Sequence, residues 1–70
     1  MTPAQLETAG RLLYGHNWRR AFEDQFGVSD RFLRRALKGE EDVPAGLMAD
    51  VKAELHHRAR GIRQILEKPA

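Results

Sequence analysis

The feature that most constrains this chain is a two-residue connection between two helical patterns. Gly27 ends the first pattern, because glycine adopts the left-handed conformation that terminates a helix without strain. Ser29 can cap the second, since its hydroxyl is able to accept a hydrogen bond from a backbone N–H in the first turn. With only Val28 and Ser29 between them, the two helices must cross steeply, and Val28 is expected to pack between them. The sequence therefore predicts a helix-turn-helix unit.

The remaining residues extend this pattern into an all-α fold of four to five helices, with a central helix-turn-helix and a long C-terminal helix. Strands are not expected, because apolar and polar residues do not alternate over any sustained stretch. We expect helices from Pro3 to about Tyr14, from about Asn17 to Phe26, from about Ser29 to Lys38, and from Pro44 to Glu67. Gly61 leaves open whether the last of these is one helix or two pieces.

Apolar side chains at helical spacing define the expected core. The first helix contributes Leu6, Ala9, Leu12 and Leu13, and the third contributes Leu33, Ala36 and Leu37. The fourth keeps helical spacing through Leu47, Met48, Val51, Leu55, Ala59, Ile62, Ile65 and Leu66, of which Leu55 to Leu66 form an extra apolar stripe. Trp18 can stack on a nucleic-acid base or pack inside the domain, and its helical spacing with Phe22 and Phe26 favours the core.

Charged side chains are segregated along the chain. Residues 19–38 carry six basic and three acidic side chains, residues 39–54 carry one basic and five acidic ones, and residues 55–70 carry four basic and one acidic. Such segregation says more about partners than the net charge of +2 does. For each block, ordinary solvation of a helix face is the alternative to a binding surface.

Several classes of function find little support. Cysteine is absent, which excludes disulfides and thiolate zinc sites. His16, His56 and His57 are the candidate metal ligands, but adjacent histidines on a helix point about 100° apart and do not easily share an ion. The few Ser and Thr hydroxyls have no base and orienting group beside them in the pattern that nucleophilic catalysis needs. We therefore expect no enzyme, no metal and no cofactor.

No apolar run approaches the roughly 18 residues that a membrane span needs, and no signal-peptide pattern opens the chain. The 70 residues are therefore expected to form one small, soluble, cytoplasmic domain with no membrane partner. A chain of this length buries only about 60% of its unfolded surface, so we expect its stability margin to be thin.

The run FGVSDRFLRRALKGEEDVPAG, residues 26–46, resembles the helix-turn-helix of lambda-repressor and Cro-type regulators, including short phage and prophage members. The leading TPAQLETAGRLLYG is similar to the first helix of such domains. The likeness covers roughly residues 2–55, which gives a helix-turn-helix domain over residues 1–55 and a C-terminal helical extension over residues 56–70. It implies a small sequence-specific DNA-binding transcriptional regulator, such as a repressor, whose third helix enters the major groove of double-stranded DNA.

The same resemblance implies roles for individual residues. The start and outer face of the third helix would read bases, through Ser29, Asp30, Arg31, Arg34 and Arg35. Arginine suits this task because it can donate two hydrogen bonds to guanine O6 and N7. Asp30 can accept from a cytosine amino group, but an acid in a first turn more often favours the helix dipole, and Ser29 is a cap first. The phosphate backbone would be contacted by Asn17, Arg19, Arg20 and Lys38.

Three positions depart from the family's pattern. Glu23 stands where the family prefers a small residue, Ala36 where relatives often have a large apolar one, and Phe32 at an outward position that is often small and polar. The stem of Glu23 is expected to fill space that Ala36 leaves; relaxed selection for DNA binding is the alternative. With the acidic loop GEED, residues 39–42, these departures support a competing hypothesis, a protein-binding module such as a phage-encoded inhibitor that no longer reads DNA.

The apolar stripe from Leu55 to Leu66 has more than one possible use. Regulators with this unit usually bind as dimers, so the extension over residues 56–70 is a candidate dimerisation segment. Folding back of the segment on the first helix is the alternative. A homodimer is favoured, because a contiguous exposed apolar patch usually marks an interface.

Overall fold

The computed structural model describes residues 1–67 and confirms the all-α prediction. Four helices follow one another: α1 (Pro3–Tyr14), α2 (Trp18–Phe26), α3 (Asp30–Leu37) and α4 (Ala45–Glu67). Within residues 1–67 there is no strand. The long last helix runs through Gly61 without a break, so residues 1–67 form four helices and not five. Each helix begins and ends within a residue or so of its predicted position.

The connection between α2 and α3 has the predicted local structure. Gly27 adopts a left-handed conformation with a φ of 66°, and its N–H donates to the carbonyl oxygen of Glu23. The N–H of Val28 donates to the same oxygen, at 3.2 Å. Ser29 caps α3, because its hydroxyl oxygen accepts from the N–H of Phe32 at 3.0 Å. These bonds satisfy backbone groups that a helix end leaves open, and they fix the angle at which α3 leaves α2.

Each helix contributes one fully buried side chain to a single core: Leu6, Phe22, Leu33 and Val51. Ala9, Trp18 and Ala36 join them. The Trp18 ring meets the Phe22 ring edge to face, with centroids 5.6 Å apart, which is a favoured aromatic geometry. The preference for Trp18 as a core residue is therefore confirmed, and this tryptophan is not free to stack on a base.

Two predictions about individual apolar residues are wrong. Leu12 is predicted to lie in the buried stripe of α1, but 69% of it is exposed. The reason is rotational: Leu13, about 100° further round the helix, is buried, which turns Leu12 to the side of α1 that faces a groove between α1 and α4. Phe32 is predicted to point outward, yet it is half-buried and packs against the core. Phe32 therefore offers less apolar surface to a partner than the sequence suggested.

The helix α4 leaves the globule part-way along its length. Leu47, Met48 and Leu55 are half-buried and Val51 is buried, but every residue from 56 to 67 is exposed. We call residues 56–67 the distal half of α4. Apart from the side chain of Arg58, the described residues of this segment do not fold back on α1, which was the alternative to self-association. The last three residues of the predicted extension, 68–70, lie outside the described residues.

The point at which α4 leaves the globule is held by a hydrogen bond to the end of α1. The Arg58 guanidinium donates to the carbonyl oxygen of Leu13 at 2.8 Å, and a cation is favourable at a helix C-terminus. Beside it, the hydroxyl oxygen of Tyr14 is buried without a hydrogen-bond partner in the described chain. Burial raises the pKa of Tyr14, the negative charge of Glu54 raises it further, and Arg58 opposes both. Tyr14 is therefore neutral.

The compensation hypothesis for Glu23 remains a prediction that a stability measurement can test. Ala36 is buried and Glu23 is half-buried, as the hypothesis requires. We expect Glu23→Ala to lower the free energy of unfolding by about 1 kcal/mol, because buried methylene groups are lost and a void remains. Chemical denaturation measures the change. Asp24→Ala is the matched control, since it removes an exposed carboxylate from the same turn; a gain in stability for Glu23→Ala would rule the idea out.

Candidate nucleic-acid interface

The outer face of α3 carries four cations on one exposed surface. Arg31, Arg34, Arg35 and Lys38 are all exposed, and with Glu40 they line a shallow depression of about 280 Å³. We call these four residues the α3 cationic surface. On the opposite side of the helix, Leu33 and Ala36 are buried in the core. In the described chain α3 packs closely against α1 and α2, and no other helix covers its outer face.

Two of the four cations take part in ion pairs. Arg34 Nε lies 3.0 Å from the Asp30 carboxylate, and Arg35 Nε lies 3.7 Å from that of Glu41. Both pairs are about half exposed, and pairs of this kind contribute less than about 1 kcal/mol, so a phosphate or a base edge can displace the carboxylate. Arg31 and Lys38 make no ion pair within residues 1–67. They are therefore the most readily available donors of the surface.

A second basic surface surrounds the start of α2. Arg11, His16, Asn17, Trp18, Arg19 and Arg20 line a depression of about 280 Å³, and all except the buried Trp18 are exposed. Asn17 precedes the helix but its side chain makes no capping hydrogen bond. The first N–H groups of α2 therefore lack a side-chain cap, and the positive end of the helix dipole adds to the charge of the arginines. We call Arg11, His16, Asn17, Arg19 and Arg20 the α2 N-terminal surface.

The predicted site residues thus fall into two groups. Arg31, Arg34, Arg35 and Lys38 lie together on α3, and Asn17, Arg19 and Arg20 lie together at the start of α2. Ser29 and Asp30 lie at the start of α3, where both have structural tasks. The Ser29 hydroxyl caps the helix, and the Asp30 carboxylate pairs with Arg34 and sits at the positive end of the dipole. The local geometry therefore favours structural roles for Ser29 and Asp30: a helix cap for the first, and an ion pair at the helix start for the second.

Three residues at these surfaces were not predicted from the sequence to belong to them. His16 and Arg11 belong to the α2 N-terminal surface. His16 could have been predicted, because it is adjacent in sequence to Asn17. Arg11 belongs to α1, and only the packing of α1 against α2 brings it to the start of α2. Glu41 reaches Arg35 because Gly39, with a φ of 77°, turns the chain back over α3. The sequence carries no spacing rule for a contact made across such a turn.

The described residues offer little for other kinds of chemistry. Within residues 1–67, no three His, Asp or Glu side chains gather where they could hold a metal ion. None of the four helices combines the length and apolar character that a membrane crossing demands, as far as the chain is described. What the arrangement can do chemically is present arginine, lysine and helix N–H donors to an anion such as a phosphate.

No protein-family model, no curated protein and no solved structure matches this chain.

Proposed function

We propose that this chain is a small sequence-specific DNA-binding regulator of transcription, of the short phage-repressor kind, that works in the cytoplasm. The observation that carries the proposal is the α3 cationic surface: an exposed row of cations on a helix that is packed by its other side and held by a short turn. An α-helix fits the DNA major groove, which is about 12 Å wide, and arginine is the side chain that most often reads guanine there.

The two surfaces would divide the work of recognition. Arg31, Arg34 and Arg35 would reach base edges, where a bidentate arginine–guanine contact contributes about 1–3 kcal/mol of discrimination. Lys38 on α3, with Asn17, Arg19 and Arg20 at the start of α2, would bind phosphates and set the position of α3 on the duplex. Such contacts position the protein without reading sequence, so losing one of them affects all sequences alike.

We further propose that two copies bind a pseudo-palindromic site as a homodimer, with half-sites about 34 Å apart. The exposed apolar residues in the distal half of α4 support this part of the proposal. More than half of Ile62, Ile65 and Leu66 is exposed in each case. Three large apolar side chains on one exposed helical segment are better explained by a protein contact than by solvation.

The direct test is selection from a pool of randomised DNA duplexes, followed by binding measurements over a series of salt concentrations. We expect one enriched motif, and an affinity for it that falls about a hundredfold between about 50 and 200 mM salt if about four phosphates are contacted. The fall has a physical cause, since each neutralised phosphate releases a condensed counterion. Enrichment of no motif together with salt-insensitive binding would contradict the proposal.

A pair of single substitutions separates base reading from phosphate binding. We expect Arg35→Ala to relax the selected motif at one base pair, with a loss of about 1–3 kcal/mol on the preferred sequence only. Arg19→Ala should weaken binding to every sequence and lower the salt slope by about one. Fluorescence anisotropy on selected and scrambled duplexes measures both effects. Unchanged affinities for both variants would show that the surfaces are wrongly assigned.

A further inference from the structure

We propose that the groove between α1 and α4 is the docking site for the distal half of α4 from a second copy of this chain. The inference deepens the homodimer in the proposed function and names the surface that receives the partner. The groove has a volume of about 460 Å³, and its lining is mainly apolar, with Met1, Ala4, Leu12, Met48 and Leu55 among its residues. Leu12, 69% exposed, is the large apolar side chain of α1 that the monomer leaves uncovered.

The groove and the exposed apolar segment lie on one continuous stripe of α4. Met48, Lys52 and Leu55 line the groove, and their spacing of four and three residues is that of one helix face. The same spacing continues through Ala59, Ile62 and Leu66 in the distal half. Lys52 interrupts the apolar character, but its stem is apolar and its ammonium can extend to the rim. The helix α4 therefore contributes both to the apolar groove and to the exposed apolar segment that we propose binds in it.

The order of the residues selects an antiparallel arrangement of the two copies. Read forwards, the groove residues 48, 52 and 55 are separated by four and then three positions. Read backwards, the distal residues 66, 62 and 59 are also separated by four and then three. With the helices antiparallel, Leu66 therefore lies opposite Met48 of the second copy and Ile62 opposite Lys52. Both segments span about 10 Å at 1.5 Å per residue, so neither leaves an unpaired end.

A second copy fits this groove better than an unrelated partner because the arrangement closes. Under a two-fold axis, each copy gives its distal half to the other and receives the other's, so one set of contacts occurs twice. The exposed apolar residues then leave water together: Ile62, Ile65 and Leu66 from one copy and Leu12 from the other. In the same register Arg63 lies level with Val51 of the second copy, so the Arg63 side chains of the two copies are not forced together. A parallel pairing of two distal halves would leave both grooves empty.

Sedimentation equilibrium of the full chain, without DNA, tests the docking surface from both sides. We expect Leu66→Glu in the distal half and Leu12→Glu in the groove each to raise the dimer dissociation constant tenfold or more, because each places a carboxylate in an apolar contact. Both positions are exposed in the monomer, so circular dichroism should show an unchanged fold. The matched control is Gln64→Glu, which adds the same charge to the same exposed segment but off the stripe, and should leave the constant within about twofold.

Cysteine cross-linking tests the antiparallel register. The chain has no cysteine, so each variant carries a single thiol. A mixture of M48C and L66C chains should give a covalent dimer on oxidation, because a disulfide needs Cα atoms within about 7 Å. L66C alone should not, since the two thiols would lie at opposite ends of the paired helices.

Three results would overturn this inference: a monomer at every concentration, a dimer insensitive to Leu12→Glu, or efficient cross-linking of L66C alone. The last would indicate a parallel pairing that leaves the groove unused. None of these assays contains DNA, so loss of the docking surface and loss of DNA recognition are separate outcomes.

Discussion

Gly10→Ala is expected to lower the free energy of unfolding by about 3 kcal/mol, although it adds a single methyl group. A Cβ atom at Gly10 would overlap three carbon atoms of the six-membered ring of Trp18. Trp18 cannot move aside easily, because it is buried and its ring packs edge to face on Phe22. Insertion of an atom into a close-packed interior forces side chains from their rotamers or helices apart.

Thermal unfolding followed by circular dichroism measures this effect. In a domain of this size each kcal/mol shifts the Tm by about 4–8 °C, so a fall of at least about 10 °C is expected. Gly61→Ala is the matched control, because Gly61 is also helical but an added Cβ there meets no atom within 4 Å. The control should leave stability unchanged or raise it by up to about 1 kcal/mol, since alanine is the better helix former. Equal Tm values for wild type and Gly10→Ala would mean that α1 and α2 are not in contact at this point.

Whether Trp18 is the cause can be tested with a double variant. Trp18→Phe removes part of the ring system and creates room beside Gly10. If the overlap is responsible, the loss in Gly10→Ala/Trp18→Phe should be smaller than the sum of the two single losses, as neighbouring substitutions usually couple. Additive losses of stability would indicate a different origin, such as a change in the intrinsic helix propensity of α1.

The helices of this chain could be predicted because each helix end is determined by residues that are close to it in the sequence. The Thr2 hydroxyl accepts from the Gln5 N–H while the Gln5 side chain accepts from that of Thr2, the reciprocal cap that their spacing predicts. Gly27 and Ser29 act as predicted for the same reason. The contact between Gly10 and Trp18 could not be predicted, because it depends on how closely α1 and α2 approach. That distance is set by the whole core and by no pattern within either helix.

The candidate site divides in the same way. Helical spacing alone places Arg31, Arg34 and Arg35 on the outer side of α3, and the structure has them exposed. The apolar spacing of α4 predicted a helix but not which half of it would be covered. Leu55 and Ile62 lie on the same face of α4, so the sequence pattern predicts burial equally for both. Leu55 is half-buried and Ile62 is exposed because the other helices extend only as far as the first of them. Burial is a property of the assembled helices, and periodicity gives only the side of the helix that would be buried.

The simultaneous substitution of Arg31, Arg34 and Arg35 by alanine should have the largest effect on DNA binding. We expect the affinity for the selected duplex to fall at least about a hundredfold, and the salt slope to fall by about one for each phosphate that is no longer neutralised. Removal of three cations reduces the attraction to phosphates, and base discrimination falls because the bidentate hydrogen bonds to guanine can no longer form. The fold should survive, because all three residues are exposed, their ion pairs are weak, and alanine favours a helix. Fluorescence anisotropy on a single half-site keeps the pairing of copies out of the measurement.

The control for this experiment must change the net charge by the same amount elsewhere. Lys52, Arg60 and Arg63 on α4 are exposed and lie outside both cationic surfaces, so their triple alanine variant carries the same loss of charge. It should weaken half-site binding only slightly, because exposed charges more than about 8–10 Å from the duplex are screened at physiological salt. Equal losses in the two triple variants would mean that net charge, and not the α3 cationic surface, attracts DNA. A normal DNA affinity in the α3 variant, combined with loss of a protein that binds the wild-type chain, would instead identify a protein-binding module on this scaffold.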